Sequence, residues 1–209
     1  MEQPGWKAYL SDRSNVIMVL ATVATLVVTL VSYTRFLTMV ESRTGAVFVD
    51  PIHVLMGPVD LTWPIFVVLY GALVLAIVTM APTPAILFRA VRAYTMLIGL
   101  RLICMWLLPL DPPTTMIALN DPFVQVFTTG DARPLTRDLF FSGHTSILCL
   151  MGFVVPGRGR RVAFFVMAAA VGAAVILQHV HYSIDVIVAP LAAWAAASLS
   201  GAANTSVDR

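Results

Sequence analysis

His181 and Asp185 lie four residues apart at the start of a long apolar run. On a helix that spacing puts both side chains on one face, one turn apart. A carboxylate in reach of an imidazole N–H fixes the ring's tautomer and stabilises its cation. The other ring nitrogen is then available to attack phosphorus or to hold a proton. A second polar stretch, Ser142-Gly143-His144-Thr145, opens another apolar run. Ser142 is a candidate helix N-cap, Gly143 permits close backbone approach, and free N–H groups at a helix start favour an anion. His144 can protonate a leaving oxygen and later accept a proton from an attacking hydroxyl. Asp138 precedes it as a tuning carboxylate, while Arg133 and Arg137 are candidate phosphate contacts. Thr145, His179 and Tyr182 complete the set of candidate substrate contacts. Arg101, in the middle of an apolar run, is costly there unless paired. It is read as a carboxylate's partner or as pocket lining.

The elements that must position these residues follow from composition. The chain has 209 residues, 59% hydrophobic and 11% charged, with a mean hydropathy of +0.87. Soluble domains carry roughly 25% charged residues, and several stretches here meet the length of about 18 apolar residues that marks a span. The expectation is one all-α membrane domain over residues 1–209, with an interfacial segment at 1–13 and a long exoplasmic loop at 111–138. Six spans are expected, near 14–34, 61–81, 93–110, 139–156, 162–179 and 182–200. Pro82 and Pro84 break the chain after the second, and Pro190 is a candidate kink in the sixth. Net charge is only +2, without a basic stripe suited to nucleic acid. Cys104 and Cys149 sit inside apolar runs as packing residues.

Six spans put both termini on one side. Lys7, Arg13, Arg89, Arg92, Arg158, Arg160, Arg161 and Arg209 then fall on the terminal side, against Arg35, Arg43, Arg133 and Arg137 on the other. The positive-inside rule places the termini in the cytoplasm. Both polar stretches consequently face the exoplasm together, which supports a shared site. The preference for Arg over Lys and the Ala/Val-rich spans suit a high-GC bacterium, hence an inner-membrane protein with a periplasmic site.

Blander readings compete at single positions. His53, in a loop, reads as an ordinary satisfied polar residue. His144, His179, His181 and Asp185 could instead hold zinc, but no established ligand spacing is present. Phe140, Phe141, Tyr182 and Trp106 could offer a cation–π surface to a quaternary amine, or could simply pack.

With these residues laid out, the chain resembles the phosphatidic acid phosphatase type 2 (PAP2) superfamily, and more closely its sphingomyelin synthase branch. Residues 137–145 (RDLFFSGHT) resemble that branch's Gly-Asp-x-x-x-Ser-Gly-His-Thr pattern, and residues 179–186 (HVHYSIDV) its His-Glu-His-Tyr-[Thr/Ser]-Ile-Asp-Val. Tyr94-Thr95-Met96 through Leu108-Pro109-Leu110-Asp111-Pro112 is a looser match, so the likeness covers about residues 50–200. It implies a six-helix bundle with an exoplasmic triad. His181 would be the attacking histidine, Asp185 its partner and His144 the acid/base. It implies no metal or cofactor. The partners would be membrane lipids, a donor phospholipid and a ceramide-like acceptor, and a homo-oligomer is left open.

The departures are specific. The phosphatase branch's Lys-x6-Arg-Pro keeps Arg133-Pro134 but has Val126 in place of Lys, and Val175 stands where its later Arg belongs. Val180 replaces the synthase branch's Glu, and Thr136-Arg137 its Cys-Gly. Asp111, Asp121 and Asp131 are the candidates for a further site carboxylate. The expected activity is transfer of a phospho-headgroup from a glycerophospholipid to a ceramide-like acceptor. The alternatives are a phospholipase C or lipid phosphatase with the same triad, and a non-catalytic scaffold or lipid transporter.

Overall fold

The computed structural model describes residues 5–121 and 135–201. Among them the chain is all-helical: α1 (Trp6–Leu10), α2 (Arg13–Glu41), α3 (Pro51–Leu55), α4 (Thr62–Met80), α5 (Pro84–Leu107), α6 (Gly143–Val154), α7 (Arg158–Leu177) and α8 (Ser183–Leu199). An isolated bridge, Ala46 to Leu110, is the one extended pairing among these residues.

Four helices, α2, α4, α5 and α7, are long and apolar enough to cross a membrane, and they fit an integral membrane protein. Two expected boundaries move furthest. Helix α2 continues through Arg35 to Glu41, because the residues after 34 keep helical propensity until Ser42 closes the helix. Helix α5 begins at Pro84 rather than 93. Proline suits a first helical position, where its missing N–H is no loss, so Arg89 and Arg92 ride on the helix instead of preceding it.

Helices α6 and α8 are shorter than expected, 12 and 17 residues. At 1.5 Å per residue α6 reaches only about 18 Å, against a hydrocarbon core of about 30 Å. The apolar run was longer than the helix because its flanks are buried by protein. Leu139 and Phe141 pack inside the fold ahead of the Ser142 cap, and Pro156 with Gly157 (φ 95°) ends the segment. Helix α6 packs against α7, α8 and α5, while α2 rests on α5 and α1. The core runs through α4–α8, from Ile65, Ala72 and Leu97 to Leu148, Phe164, Val171 and Ala193.

One end of the bundle gathers the loops that carry the polar stretches. Ala46 N–H donates to the Pro109 carbonyl (2.9 Å), Val59 N–H to Leu177 (2.9 Å), and Ile117 N–H to Gln178 (3.2 Å). Gln178 is wholly buried and clamps three segments. Its Oε1 accepts from Leu61 N–H (3.0 Å), and its amide donates to Thr62 Oγ1 (2.9 Å) and the Ile117 carbonyl (3.2 Å). The starts of α6 and α8 are joined directly, Ser142 N–H donating to the Asp185 carbonyl (3.1 Å).

Candidate active site

Helix α8 begins at Ser183, so His181 precedes the helix and Asp185 sits in its first turn. Asp185 Oδ2 accepts from Tyr182 N–H (3.1 Å) and meets His181 Nδ1 at 3.2 Å. The carboxylate that caps the helix also orients the ring. Asp185 and His181 are both buried, and Asp185 Oδ1 has no hydrogen-bond partner.

Across from this pair, Ser142 caps α6, its Oγ accepting from Thr145 N–H (3.4 Å) and donating to Thr145 Oγ1 (3.1 Å). His144 therefore projects from the first turn of α6, and its ring centroid lies 6.4 Å from that of His181. Its Nδ1 is buried and unpartnered. Both rings line a cavity of about 440 Å³, together with Tyr33, Phe66, Tyr94, Arg101, Asn120, Asp121, Asp138, Gly143 and Val180. Leu69, Leu97, Ile98 and Ile147 make the remainder of the wall apolar.

Arg101 meets both expectations held for it. Its Nη2 pairs with Asp138 Oδ1 at 2.5 Å, its Nη1 donates to the Phe141 carbonyl, and the guanidinium also faces the cavity. Both Asp138 oxygens accept from the Tyr33 hydroxyl (3.1 Å each). Glycine is needed at 143 because a Cβ there would lie 2.9 Å from Arg101 Nη1.

Several expected contacts point elsewhere. His179 occupies the left-handed region (φ 58°). The N–H of His179 donates to the Ile176 carbonyl and that of Val180 to Val175. This is the Schellman ending of a helix, with histidine where glycine is usual. The turn sends His179 to Thr115 Oγ1 (2.5 Å) and the Met56 carbonyl (3.0 Å), away from His181. Tyr182 is buried against Leu110 and Leu139, its hydroxyl donating to the Asp111 carbonyl (2.9 Å). Arg137 Nε donates to Asp111 Oδ1 (2.6 Å) and its Nη1 to the Glu41 carbonyl (2.8 Å). That hydrogen bond holds the Asp111 carboxyl below the usual carboxylate range. Arg133 lies outside the described residues. Zinc ligation by the histidine set fails on the turn of His179, and among the described residues no three His, Cys, Asp or Glu side chains are grouped to hold a metal. The aromatic lining is Tyr33, Phe66 and Tyr94, while Phe141 and Tyr182 pack and Trp106 is exposed on α5.

Sequence reasoning missed Tyr33, Asp50 and Glu41. Asp50 caps α3 through Ile52 N–H (2.9 Å) and holds Ser183 N–H (2.6 Å) and Ser183 Oγ (3.0 Å) at the start of α8. Its burial works against ionisation, but these donors outweigh it and lower its pKa. Glu41 accepts from the N–H groups of Thr136 and Arg137 (2.7 Å each). The Asp50-Pro51 pair, a cap followed by proline, was the available signal for Asp50.

Fold and site together define an all-helical membrane-type protein with two histidines and a carboxylate at one cavity. Residues 137–197, which hold both polar stretches, match the family model described as PAP2 superfamily C-terminal. Comparison with curated proteins and with solved structures gave no match.

Proposed function

We propose that the protein is a lipid phosphotransferase of the sphingomyelin synthase type, moving a phospho-headgroup from a glycerophospholipid to a ceramide-like acceptor. The observation that carries this reading is the placement of His144 and His181 across one cavity, with Asp185 behind His181. Members of the PAP2 superfamily act on lipids as phosphatases or phosphotransferases, and the family match supports that class.

In the proposed reaction the donor's phosphodiester sits between the two rings, near the first turn of α6, where helix N–H groups favour an anion. His181 Nε2 attacks phosphorus as its Nδ1–H donates to Asp185, which stabilises the ring as it becomes cationic. The bond from phosphorus to the diacylglycerol oxygen breaks, and His144 supplies the proton to that oxygen. The products of this half are diacylglycerol and a phospho-headgroup on His181. The acceptor's hydroxyl then gives its proton to His144, and its oxygen displaces the His181 nitrogen from phosphorus. Arg101 pairs with Asp138 and the Phe141 carbonyl, which holds the Asp138–Gly143 segment in place, and it still lines the cavity with N–H groups left for the donor's phosphate.

Six membrane crossings, with α6 and α8 as short inner spans, belong to the same reading. So do cytoplasmic termini and a site on the exoplasmic face, periplasmic in a bacterium. The test is mass spectrometry of lipids after incubation of purified protein with mixed phospholipids, with and without ceramide. A phospho-ceramide that appears only with ceramide supports transfer. Diacylglycerol with free phospho-headgroup in both arms points to a phospholipase C, and no product in either arm to a non-catalytic protein.

A further inference from the structure

Outside the cavity a second histidine pair sits against the turn that carries His181. His53, on the short helix α3, stacks on His179 with centroids 4.0 Å apart and planes 21° from parallel. Its ring also lies 6.0 Å from that of Tyr182. His179 is fully engaged. A carbonyl can only accept, so Nε2–H donates to Met56 (3.0 Å), and Nδ1 meets the Thr115 hydroxyl at 2.5 Å. These two contacts anchor a histidine in a left-handed conformation that a β-carbon disfavours. The stack is what packs over that strained residue, two positions before His181.

We propose that His53 is a positioning residue for His181. Stacked on His179, it braces the Gln178–Tyr182 turn that aims the reacting ring, and the brace holds while the His53 ring is neutral.

The charged and titratable groups around His53 are Asp50, His179 and Tyr182. Burial and the neighbouring His179 lower the His53 pKa, while Asp50 and the carbonyls of His181 and Ile176 act in the opposite direction. His53 Nε2 is buried without a hydrogen bond, so a proton added there charges a desolvated ring stacked on His179. A histidine whose folded pKa is lowered contributes stability above its ordinary value of about 6.5. That contribution is lost as the pH falls through the folded value. Acidification should loosen this turn while Asp185 and the α6 cap remain in place.

The inference rests on the phosphotransfer reading for its kinetic readout, and a second readout does not need turnover. His53→Ala removes the stack. It is expected to lower kcat by about 10- to 100-fold, as a displaced catalytic group does, with little change in KM. His53→Phe keeps a stacking ring that cannot be protonated. It should lose less at pH 8 and show a shallower acidic limb in kcat than wild type. Hydrogen exchange of amides 179–183 in the purified full-length protein, corrected for intrinsic rates, should lose protection between pH 7.5 and pH 5. His53→Phe should retain it. Superimposable acidic limbs and equal protection in wild type and His53→Phe would overturn the proposal. If wild type turns over no phospholipid, the phosphotransfer reading fails, and the exchange comparison alone decides the role of His53.

Discussion

Two carboxylates at this site are treated in opposite ways. Asp138 retains 27% side-chain exposure and is fully matched, by Arg101 at 2.5 Å and by the Tyr33 hydroxyl on both oxygens. Asp185 has no exposure, yet bonds through Oδ2 alone, at 3.1 and 3.2 Å, and leaves Oδ1 unpartnered. Buried polar atoms are almost always satisfied, and an exception calls for a reason. The unmatched atoms here, Asp185 Oδ1 and His144 Nδ1, belong to the two groups assigned to proton and charge handling. An ion-paired carboxylate builds the wall of the cavity, and the unmatched atoms of Asp185 and His144 are left to respond to substrate.

The contrast can be broken most sharply at the reacting ring. His181→Ala should reduce diacylglycerol release by about 10⁴-fold or more in protein that still inserts and elutes as wild type. Asp185→Asn comes next. Its loss should fall mostly on kcat, by about 10³- to 10⁴-fold, because the amide no longer fixes the tautomer or stabilises the cation. Asp138 should behave differently. Arg101→Met leaves the Asp138 carboxylate without its counter-charge and should destabilise the protein by about 3 kcal/mol, read as a lowered thermal midpoint in detergent. Gly143→Ala presses a methyl group into Arg101 and should cost about 1–3 kcal/mol, with reduced activity as the His144 turn shifts. The smallest effect is expected for Tyr33→Phe, about 1–2 kcal/mol from one hydroxyl on a charged acceptor, with kcat nearly intact. A Tyr33→Phe enzyme as inactive as Asp185→Asn would erase the distinction between the two carboxylates.

What could be read from the sequence was local. The Ser142 cap and the contact between His181 and Asp185 both hold, but His181 lies ahead of α8 and meets Asp185 across the helix cap, not along one helical face. The apolar runs located the helices but not their ends. Composition does not distinguish residues buried by lipid from residues such as Leu139 and Phe141, buried by protein. Side-chain direction in turns was not legible. His179 looked equivalent to His181 until a Schellman turn sent the two rings apart, and Arg137 was claimed by Asp111 and Glu41. Tyr33 was invisible because its partner lies 105 positions away, a distance no periodicity records. The cost of burying Arg101 did announce that a partner must exist, without saying that it would be Asp138.

The most direct measurement is a single-turnover reaction with a headgroup-labelled donor phospholipid, quenched under alkaline conditions and followed by peptide mass spectrometry. The expected result is the intact phospho-headgroup on His181, absent in His181→Ala and discharged when ceramide is added. Turnover at the wild-type rate with no label on this peptide at any time would contradict a histidine-bound intermediate and the role given to the His181–Asp185 pair.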